Sequence, residues 1–204
     1  MMSRFILYRP VSRPSSSAGA DGESDSVRCG DYVLRHYGSG YMQLGETGIY
    51  IGGYILPRNS LFAAYGNTGQ HDLVSRLYAE HGSSFTGHVK GRFIVIIMKA
   101  GKAEVYFDHL GLFRAFYHTS GDRFMISDTV RQLTEAGAPR DPDRVSLAMQ
   151  ALFNRVPGKY TVYRDIFKTT GADCSTLDGN GASRTHYFSP LSLAENVTGR
   201  KEPG

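Results

Sequence analysis

Short apolar runs separated by turns predict an antiparallel sheet in the first quarter of the chain. The runs cover residues 4–10, 31–37, 41–44 and 48–56, and they are rich in aromatic and β-branched side chains, which fit a pleated surface. Glycine lies between the runs, where turns are expected. The segment 12–26 is polar and rich in serine, so we predict that it is a mobile loop.

The apolar spacing changes to a helical period in the segment 67–82. Leu73 and Leu77 recur on one side of a helix, together with the valine between them. Asn67 or Thr68 can cap the start of this helix, and the glycine that ends the segment can terminate it. An amphipathic helix is therefore expected to cover one face of the sheet.

The rest of the chain combines further strands with short helices. The run 91–109 predicts two strands around an Ala-Gly turn, and its first half is so uniformly apolar that both faces of that strand must be covered. Further strands are predicted at 112–118, 123–127, 160–169, 172–178 and 183–190, and helices at 128–135 and 143–154. This order of elements predicts an α+β fold of stacked antiparallel sheets with helical layers.

Length and composition fit one soluble globular domain. The chain has 204 residues, of which 41% are hydrophobic and 21% are charged. The longest apolar run, 93–98, is far shorter than the roughly 20 residues that a membrane span needs. The first ten residues lack the pattern of a signal peptide. We therefore expect a cytoplasmic protein with no membrane partner.

Charge and potential ligand residues exclude further classes of function. The net charge is +4, but the basic residues are scattered singly, whereas a nucleic-acid surface normally clusters them. The seven histidines show no metal-binding spacing, so no metal site is expected. Cys29 and Cys174 lie far apart, which fits a reducing compartment, although a single bridge between them stays open.

The stretch 106–128 contains the most specific motif of the chain. It places an acid and a glycine after a strand, an aromatic hairpin next, and Ser-Asp before a helix. These residues are Asp108, Gly111, Tyr117, Ser127 and Asp128. We interpret them as fold-defining residues: the first two shape a strand corner, and the last two open a helix, whose positive end favours an acid.

This motif resembles the N-terminal, glutaminase-type domain of the asparagine synthetase family, which belongs to the class II glutamine amidotransferases. That family carries an Asp-Arg-x-Gly-x-x-x-Leu-Tyr-Tyr run, then a hairpin, then Phe-Ala-Ser-Glu. The similarity covers about 48–190, where Tyr187, Phe188 and Pro190 match a Tyr-Trp-x-Pro-like motif. The resemblance implies an αββα sandwich of the N-terminal-nucleophile hydrolase type over residues 1–190.

In that family the side chain of the first residue attacks glutamine, and its own α-amino group acts as base. The family's nucleophile is a cysteine directly after the initiator methionine, whereas this chain begins Met1-Met2-Ser3. Ser3 is the candidate nucleophile by position. Cys29 mimics the family's Cys-Gly start, but the predicted strand 4–10 already occupies the place of the nucleophile strand, so a structural thiol is the preferred interpretation.

The resemblance also implies where a glutamine cleft would lie. The family's Asn-Gly-Glu segment, which stabilises the oxyanion, corresponds to residues 52–54, and only Gly53 is retained. The family's Ser-Asp-x-Glu motif, whose aspartate holds the α-amino group of glutamine, corresponds to residues 69–72, which read Gly-Gln-His-Asp. Gly53 would therefore belong to a vestigial substrate cleft.

Together these features predict a noncatalytic glutaminase-like domain, similar to those of β-lactam synthetases, carbapenam synthetases and lasso-peptide cyclases. The amide-forming chemistry, with ATP and Mg²⁺, would lie in a C-terminal synthetase domain of the same polypeptide. Residues 191–204 would form a linker to that domain, and no cofactor is expected in this chain. A homodimer is possible, and the acyl and amine substrates stay open.

Two alternatives remain at the level of the sequence. The chain could be an active amidotransferase that hydrolyses glutamine with a processed N-terminal nucleophile, which would be Ser3. It could also be a free-standing module that binds another ligand in the vestigial cleft around Gly53. An ammonia-release assay separates the first alternative from the other two hypotheses.

Overall fold

Two six-stranded antiparallel sheets form the centre of the fold. The computed structural model describes residues 4–10, 25–121 and 123–189. Sheet A contains, in spatial order, β10 (Ile166–Lys168), β8 (Phe116–Ser120), β9 (Arg123–Ser127), β1 (Phe5–Tyr8), β3 (Tyr32–His36) and β2 (Asp25–Cys29). Sheet B contains β12 (Gly181–His186), β11 (Asp173–Asp178), β7 (Lys102–Phe107), β6 (Val89–Lys99), β5 (Thr47–Pro57) and β4 (Tyr41–Leu44).

The main hydrophobic core lies between the two sheets. Phe5, Leu34 and Ile126 from sheet A pack with Ile96 and Val105 from sheet B, and all five side chains are buried. Because side chains alternate along a strand, every second residue of the central strands contributes to this core. Non-directional burial of apolar surface is the dominant stabilising effect in such a core.

Helices cover the outer faces of the sheets. Helix α2 (Gln70–His81) buries the side chains of Leu73 and Leu77 against sheet B. On sheet A, helix α3 (Val130–Glu135) buries Leu133. The other helices are α1 (Phe62–Tyr65), α4 (Arg144–Phe153) and two 3₁₀ helices at Asn59–Leu61 and Gly82–His88. The predicted αββα sandwich is confirmed.

Strand β6 shows why one apolar run needs two covering layers. Ile94 and Ile96 point into the core between the sheets, whereas Phe93 and Val95 pack under α2. The sequence prediction that both faces of this strand are covered is therefore confirmed. No helix in the described part of the chain is long and apolar enough to cross a membrane.

Several predicted boundaries were wrong, each for a local reason. The strand predicted at 112–118 begins at Phe116, because the preceding residues are held in a turn by Asp108. The strand predicted at 160–169 is reduced to β10. There, Asp165 adopts a φ of 62°, and Thr161 donates to the Ile166 carbonyl at 2.7 Å.

Two of the three predicted helix starts shifted by one or two residues, whereas the helix predicted at 143–154 has Asp143 and Asn154 as its caps. Helix α2 is preceded by Gly69, because the predicted cap Thr68 lies in a turn and donates its N–H to the Tyr65 carbonyl at 2.9 Å. Helix α3 does not open at Asp128. Its cap is Thr129, whose hydroxyl accepts a hydrogen bond from the Gln132 N–H.

Four predictions fall wholly or partly outside the described residues. They concern Ser3, Pro190 at the end of the predicted strand 183–190, the linker 191–204 and most of the loop 12–26, whose last two residues belong to β2. Strand β2 itself was missed, because it is an edge strand with no fully buried residue.

Candidate functional site

Asp108 organises the corner that follows β7. Its side chain is fully buried, and one oxygen accepts hydrogen bonds from the N–H groups of Leu110 (3.1 Å) and Leu112 (2.9 Å). The other oxygen accepts from the Phe113 N–H at 2.7 Å. One carboxylate thus satisfies three backbone donors, which closes the turn and turns Leu110 and Leu112 towards solvent.

Gly111 lets this turn approach a neighbouring loop. Its φ is 66°, and a Cβ added there would lie 2.8 Å from the Gly171 nitrogen. A larger residue would be strained in this conformation and would also push the two loops apart. The structure thus places Asp108 and Gly111 in one corner, where both hold the backbone.

Phe113, at the end of the same turn, fills the space beside Gly52 on β5. A Cβ added to Gly52 would lie 2.9 Å from the Phe113 ring and 2.9 Å from a methyl carbon of Ile94. Phe113 is itself buried in the core between the sheets. Position 52, which the resemblance aligns with an oxyanion-stabilising asparagine, is therefore packed against an aromatic ring.

Gly53, the one residue of that segment that is retained, has a backbone role. Its φ is 89°, and an added Cβ would lie 2.1 Å from the Arg92 carbonyl oxygen on β6. The next residue, Tyr54, is exposed. The close approach of β5 and β6 is enough to require a glycine at position 53.

The segment 69–72 ties the start of α2 to the sheet. The Gln70 side-chain oxygen accepts a hydrogen bond from the Ile55 N–H at 2.7 Å. The Nε2 atom of His71 lies 3.0 Å from the Gly40 carbonyl oxygen. The two polar side chains, which the resemblance aligns with an amino-group-binding motif, therefore bind backbone groups of this chain.

Ser127 and Asp128 lie beside the first strand. The Ser127 hydroxyl is buried and donates to the Phe5 carbonyl at 2.8 Å. The amide nitrogen of Gln132 donates to the same carbonyl at 2.8 Å. Burial raises the pKa of Asp128 above its ordinary value, which outweighs the opposing effects of hydrogen bonding and of Arg4. These contacts fix the end of β9 against β1.

Tyr117 lies in a cluster of rings on the inner face of sheet A. Its ring centroid lies 6.4 Å from that of Phe124 and 5.4 Å from that of Phe167. The guanidinium carbon of Arg184 lies 4.7 Å from the Tyr117 centroid, which permits a cation–π contact. Tyr117 on sheet A thus contacts Arg184 on sheet B.

His36 is a buried polar residue that sequence patterns did not indicate. It pairs with Phe5 across β1 and β3, and its ring lies 5.2 Å from that of Tyr41. Neither ring nitrogen has a hydrogen-bond partner among the described residues. Because β1 begins at Phe5, this histidine lies near the point where the chain enters the sandwich. The sequence does not show whether a single histidine in an apolar run is buried, so this position could not be predicted.

The cysteines are held as protonated thiols. Burial raises the pKa of Cys29, and its sulfur donates to the Lys102 carbonyl at 3.4 Å. Burial raises the pKa of Cys174 to about 11. A thiolate is the reactive form of cysteine, so neither environment activates a nucleophile. Both residues are free cysteines, and Cys29 lies within a strand.

A cavity of about 500 Å³ lies on the outer face of sheet B. Its floor includes Glu104, whose carboxylate accepts hydrogen bonds from Lys102 (2.6 Å), Tyr106 (2.6 Å) and Tyr78 (2.8 Å). Burial raises the pKa of Glu104, but these three donors outweigh burial and leave the pKa below its ordinary value. Lys102, Glu104 and Tyr106 alternate along β7, which was the available signal in the sequence, whereas the contact with Tyr78 of α2 has no local signal.

Replacing Glu104 with glutamine is expected to lower the free energy of unfolding by about 2 kcal/mol at neutral pH, since a buried charged acceptor is lost. The folded-state pKa of Glu104 lies below the unfolded-state value. Its stabilisation is therefore fully present above the unfolded pKa and is lost as the pH falls through the folded pKa.

Urea denaturation at several pH values measures this difference. The gap between wild type and Glu104→Gln should narrow as the pH is lowered from about 7 to about 3. Glu46→Gln, at an exposed position, is the control and should change stability by less than about 0.5 kcal/mol. A gap that stays constant over this pH range would contradict an ionised Glu104.

Comparison with known proteins places the fold. No protein-family model and no curated protein matches the sequence. Among solved structures, glutamine phosphoribosylpyrophosphate amidotransferase from B. subtilis, complexed with ADP and GMP, superposes with a TM-score of 0.50 at 11% identity. That match covers 78% of this chain and 35% of the other chain.

Two further structures were matched. An allosteric regulatory enzyme of purine biosynthesis gives a TM-score of 0.52 at 11% identity, covering 92% of this chain and 43% of that one. A class II glutamine aminotransferase domain protein from Silicibacter pomeroyi gives 0.40 at 11% identity, covering 77% and 74%. This chain spans less than half the length of the first two. It shares the αββα sandwich fold of these two structures.

Proposed function

We propose that this chain is a glutaminase-type domain that does not hydrolyse glutamine. It would serve as the noncatalytic N-terminal domain of an ATP-dependent, amide-forming enzyme of the asparagine synthetase type. The observation that carries this proposal is the packing of Phe113 against Gly52. If position 52 corresponds to the family's asparagine, this contact leaves no room for a side chain that would donate to the oxyanion.

The chemical reason is electrostatic. Hydrolysis of an amide develops negative charge on the carbonyl oxygen, and removing one preorganised donor for that charge typically costs about a hundredfold to a thousandfold in rate. Gly52 has no side chain to donate, and any side chain there would collide with Phe113 and Ile94. A mobile water could not replace a fixed donor in this packed position.

The side chains that would hold the substrate already make hydrogen bonds within this chain. Gln70 and His71 contact backbone oxygen and nitrogen atoms of the chain itself. A glutamine α-amino group would find no carboxylate at these two positions. The binding energy that positions a substrate for attack would therefore be weak.

The purified chain is expected to release no ammonia from glutamine above the uncatalysed background. A glutamine amidotransferase of the same fold, assayed in parallel, is the positive control. Typical enzymes turn over at about 1 to 1,000 s⁻¹, and we expect a rate at least about a thousandfold below the lower value. Coupled detection of ammonia over several hours measures this.

An active enzyme with Ser3 as nucleophile would give the opposite result. Ammonia release that disappears in Ser3→Ala, in a chain whose intact mass shows Ser3 as its first residue, would overturn the proposal. Retained activity in Ser3→Ala would instead identify a contaminating glutaminase. The two outcomes are separated by the same assay.

In this proposal the amide-forming chemistry belongs to a second, synthetase domain, which would bind ATP and Mg²⁺. The 204 residues would pack against that domain in the cytoplasm. The solved relatives are more than twice as long as the part that this chain matches, which is consistent with additional domains in proteins of this fold.

A further inference from the structure

Two neighbouring cavities share part of their walls. The first is the cavity of about 500 Å³ on the outer face of sheet B, and the second has a volume of about 610 Å³. Arg58, His109 and Phe188 line both cavities. Residues 52–54 and 69–72 line neither of them, so these cavities are separate from the segments that the resemblance aligns with a glutamine cleft. Both have the size of cavities that hold small molecules.

The charges on these walls are mainly positive. Arg58 and Lys102 line the first cavity, and Arg58 and Lys90 line the second. Among the described residues that line them, Glu104 is the only acid, and it already accepts hydrogen bonds from three donors. The Arg58 guanidinium makes no hydrogen bond or ion pair with any residue that the structure describes. An unpaired guanidinium on the shared wall favours an anion.

Thr86 adds an unpaired hydroxyl to the first cavity. The residue lies in the 3₁₀ helix Gly82–His88, next to Arg58, whose N–H donates to the His88 carbonyl at 2.9 Å. Thr86 is 2% exposed, and its hydroxyl has no hydrogen-bond partner within the described part of the chain. This hydroxyl is not among the polar atoms that are closed off from solvent, so it retains access to the cavity that Thr86 lines. A ligand with an acceptor oxygen would supply the partner that it lacks.

His109 places the charge of Arg58 at the shared wall. Its ring packs edge-to-face on Phe188, with the centroids 5.0 Å apart. Burial and then the positive charge of Arg58 lower the pKa of His109, and they outweigh the opposing effects of Asp108 and of a hydrogen bond to the backbone of Thr86. Because Arg58 acts on the ring electrostatically, an anion bound to Arg58 would offset that effect.

We propose that these cavities bind a small organic anion, whose phosphate or carboxylate group pairs with Arg58 and accepts a hydrogen bond from the Thr86 hydroxyl. Both groups present oxygen acceptors that a guanidinium binds with two parallel hydrogen bonds. Val89, Leu110 and Phe188 give the second cavity apolar walls, which suit the carbon part of such a ligand. The proposal does not depend on whether the chain hydrolyses glutamine.

NMR titration of the ¹⁵N-labelled full chain tests the binding, with inorganic phosphate and malonate as separate probes at pH 7 and constant ionic strength. We expect saturable shifts of the amide signals of Arg58, Thr86 and His109, with a Kd on the order of 1 mM for at least one probe. The probe that binds more tightly identifies the acidic group. If neither probe saturated these signals by about 50 mM, the proposal would be overturned.

Replacing Arg58 with glutamine separates a specific contact from general attraction. This variant should weaken binding at least tenfold, because a charge-assisted hydrogen bond is lost. The matched control is Arg76→Gln, an exposed arginine of α2 that lines neither cavity, and its Kd should stay within about twofold of wild type. Both side chains are exposed, so neither change should affect folding. Equal weakening by the two variants would overturn the proposal.

Thr86→Val retains the shape of the side chain and removes its hydroxyl. We expect binding to weaken about fivefold, whereas the midpoint of urea denaturation should stay the same or rise, because the hydroxyl has no partner in the free chain. A lowered midpoint would show that the hydroxyl stabilises the fold, and would contradict its role in binding.

The histidine signals locate the bound anion. In wild type, the pKa of His109 should rise when the anion that binds is added, because the charge of Arg58 is then offset. In Arg58→Gln, the pKa of His109 should already lie above that of wild type, and the anion should no longer change it. An anion that binds wild type without raising the pKa of His109 would lie elsewhere, which would overturn the proposal.

Discussion

Replacing Asp108 with alanine is expected to lower the free energy of unfolding by about 4 kcal/mol, which is a large part of the stability of an ordinary domain. The reason is that the fully buried carboxylate accepts hydrogen bonds from Leu110, Leu112 and Phe113. Alanine would leave three backbone N–H groups without an acceptor in a turn that must hold Phe113 in the core. Urea denaturation followed by circular dichroism measures the loss.

Two other variants separate this effect from the removal of a charge. Asp108→Asn retains one acceptor oxygen and should cost roughly half as much as alanine. Asp31→Ala removes an exposed carboxylate, 2.7 Å from Arg9, and should cost less than about 1 kcal/mol. If Asp108→Ala and Asp31→Ala were equally mild, the three hydrogen bonds would not be stabilising the corner.

The corner at Asp108 also shows what sequence patterns can predict. An acid and a glycine three residues apart after an apolar run have a local meaning, since a carboxylate can accept from N–H groups that follow it closely. The structure finds Asp108 and Gly111 in this turn. The same locality explains why β4 and β9 match their predicted bounds, because short apolar runs between turn residues define both strands.

The features that the sequence did not predict depend on contacts between residues far apart in the chain. Strand β2 has no buried residue and exists because it pairs with β3, a partner that its own composition does not indicate. The packing of Phe113 on Gly52 joins positions 61 residues apart in the chain. In the Glu104 network only Tyr78 comes from another element, since Lys102 and Tyr106 alternate with Glu104 along β7. The burial of His36 depends on separate elements, so no local spacing indicates it.

The glutamine cleft at residues 52–54 stays a prediction of the resemblance. What the sequence could not indicate is the packing around these residues, because the ring of Phe113 reaches position 52 from another loop. The backbone geometry of Gly53 explains the presence of a glycine there without any ligand.

Gly53→Ala is expected to destabilise the chain by about 4 kcal/mol or more. The φ of 89° already disfavours any side chain, and the new Cβ would lie 2.1 Å from the Arg92 carbonyl oxygen, so the central strands β5 and β6 would have to separate. Gly45→Ala is the matched control, because Gly45 has a φ of 60° and no atom near its Cβ position. It should cost only the backbone strain of about 1 to 2 kcal/mol.

Urea denaturation compares the two variants, and equal losses would show that the close approach of the strands is relieved without cost. A soluble, stable Gly53→Ala protein would leave a ligand contact as the reason for a glycine here, and would favour the binding-module alternative over a structural role.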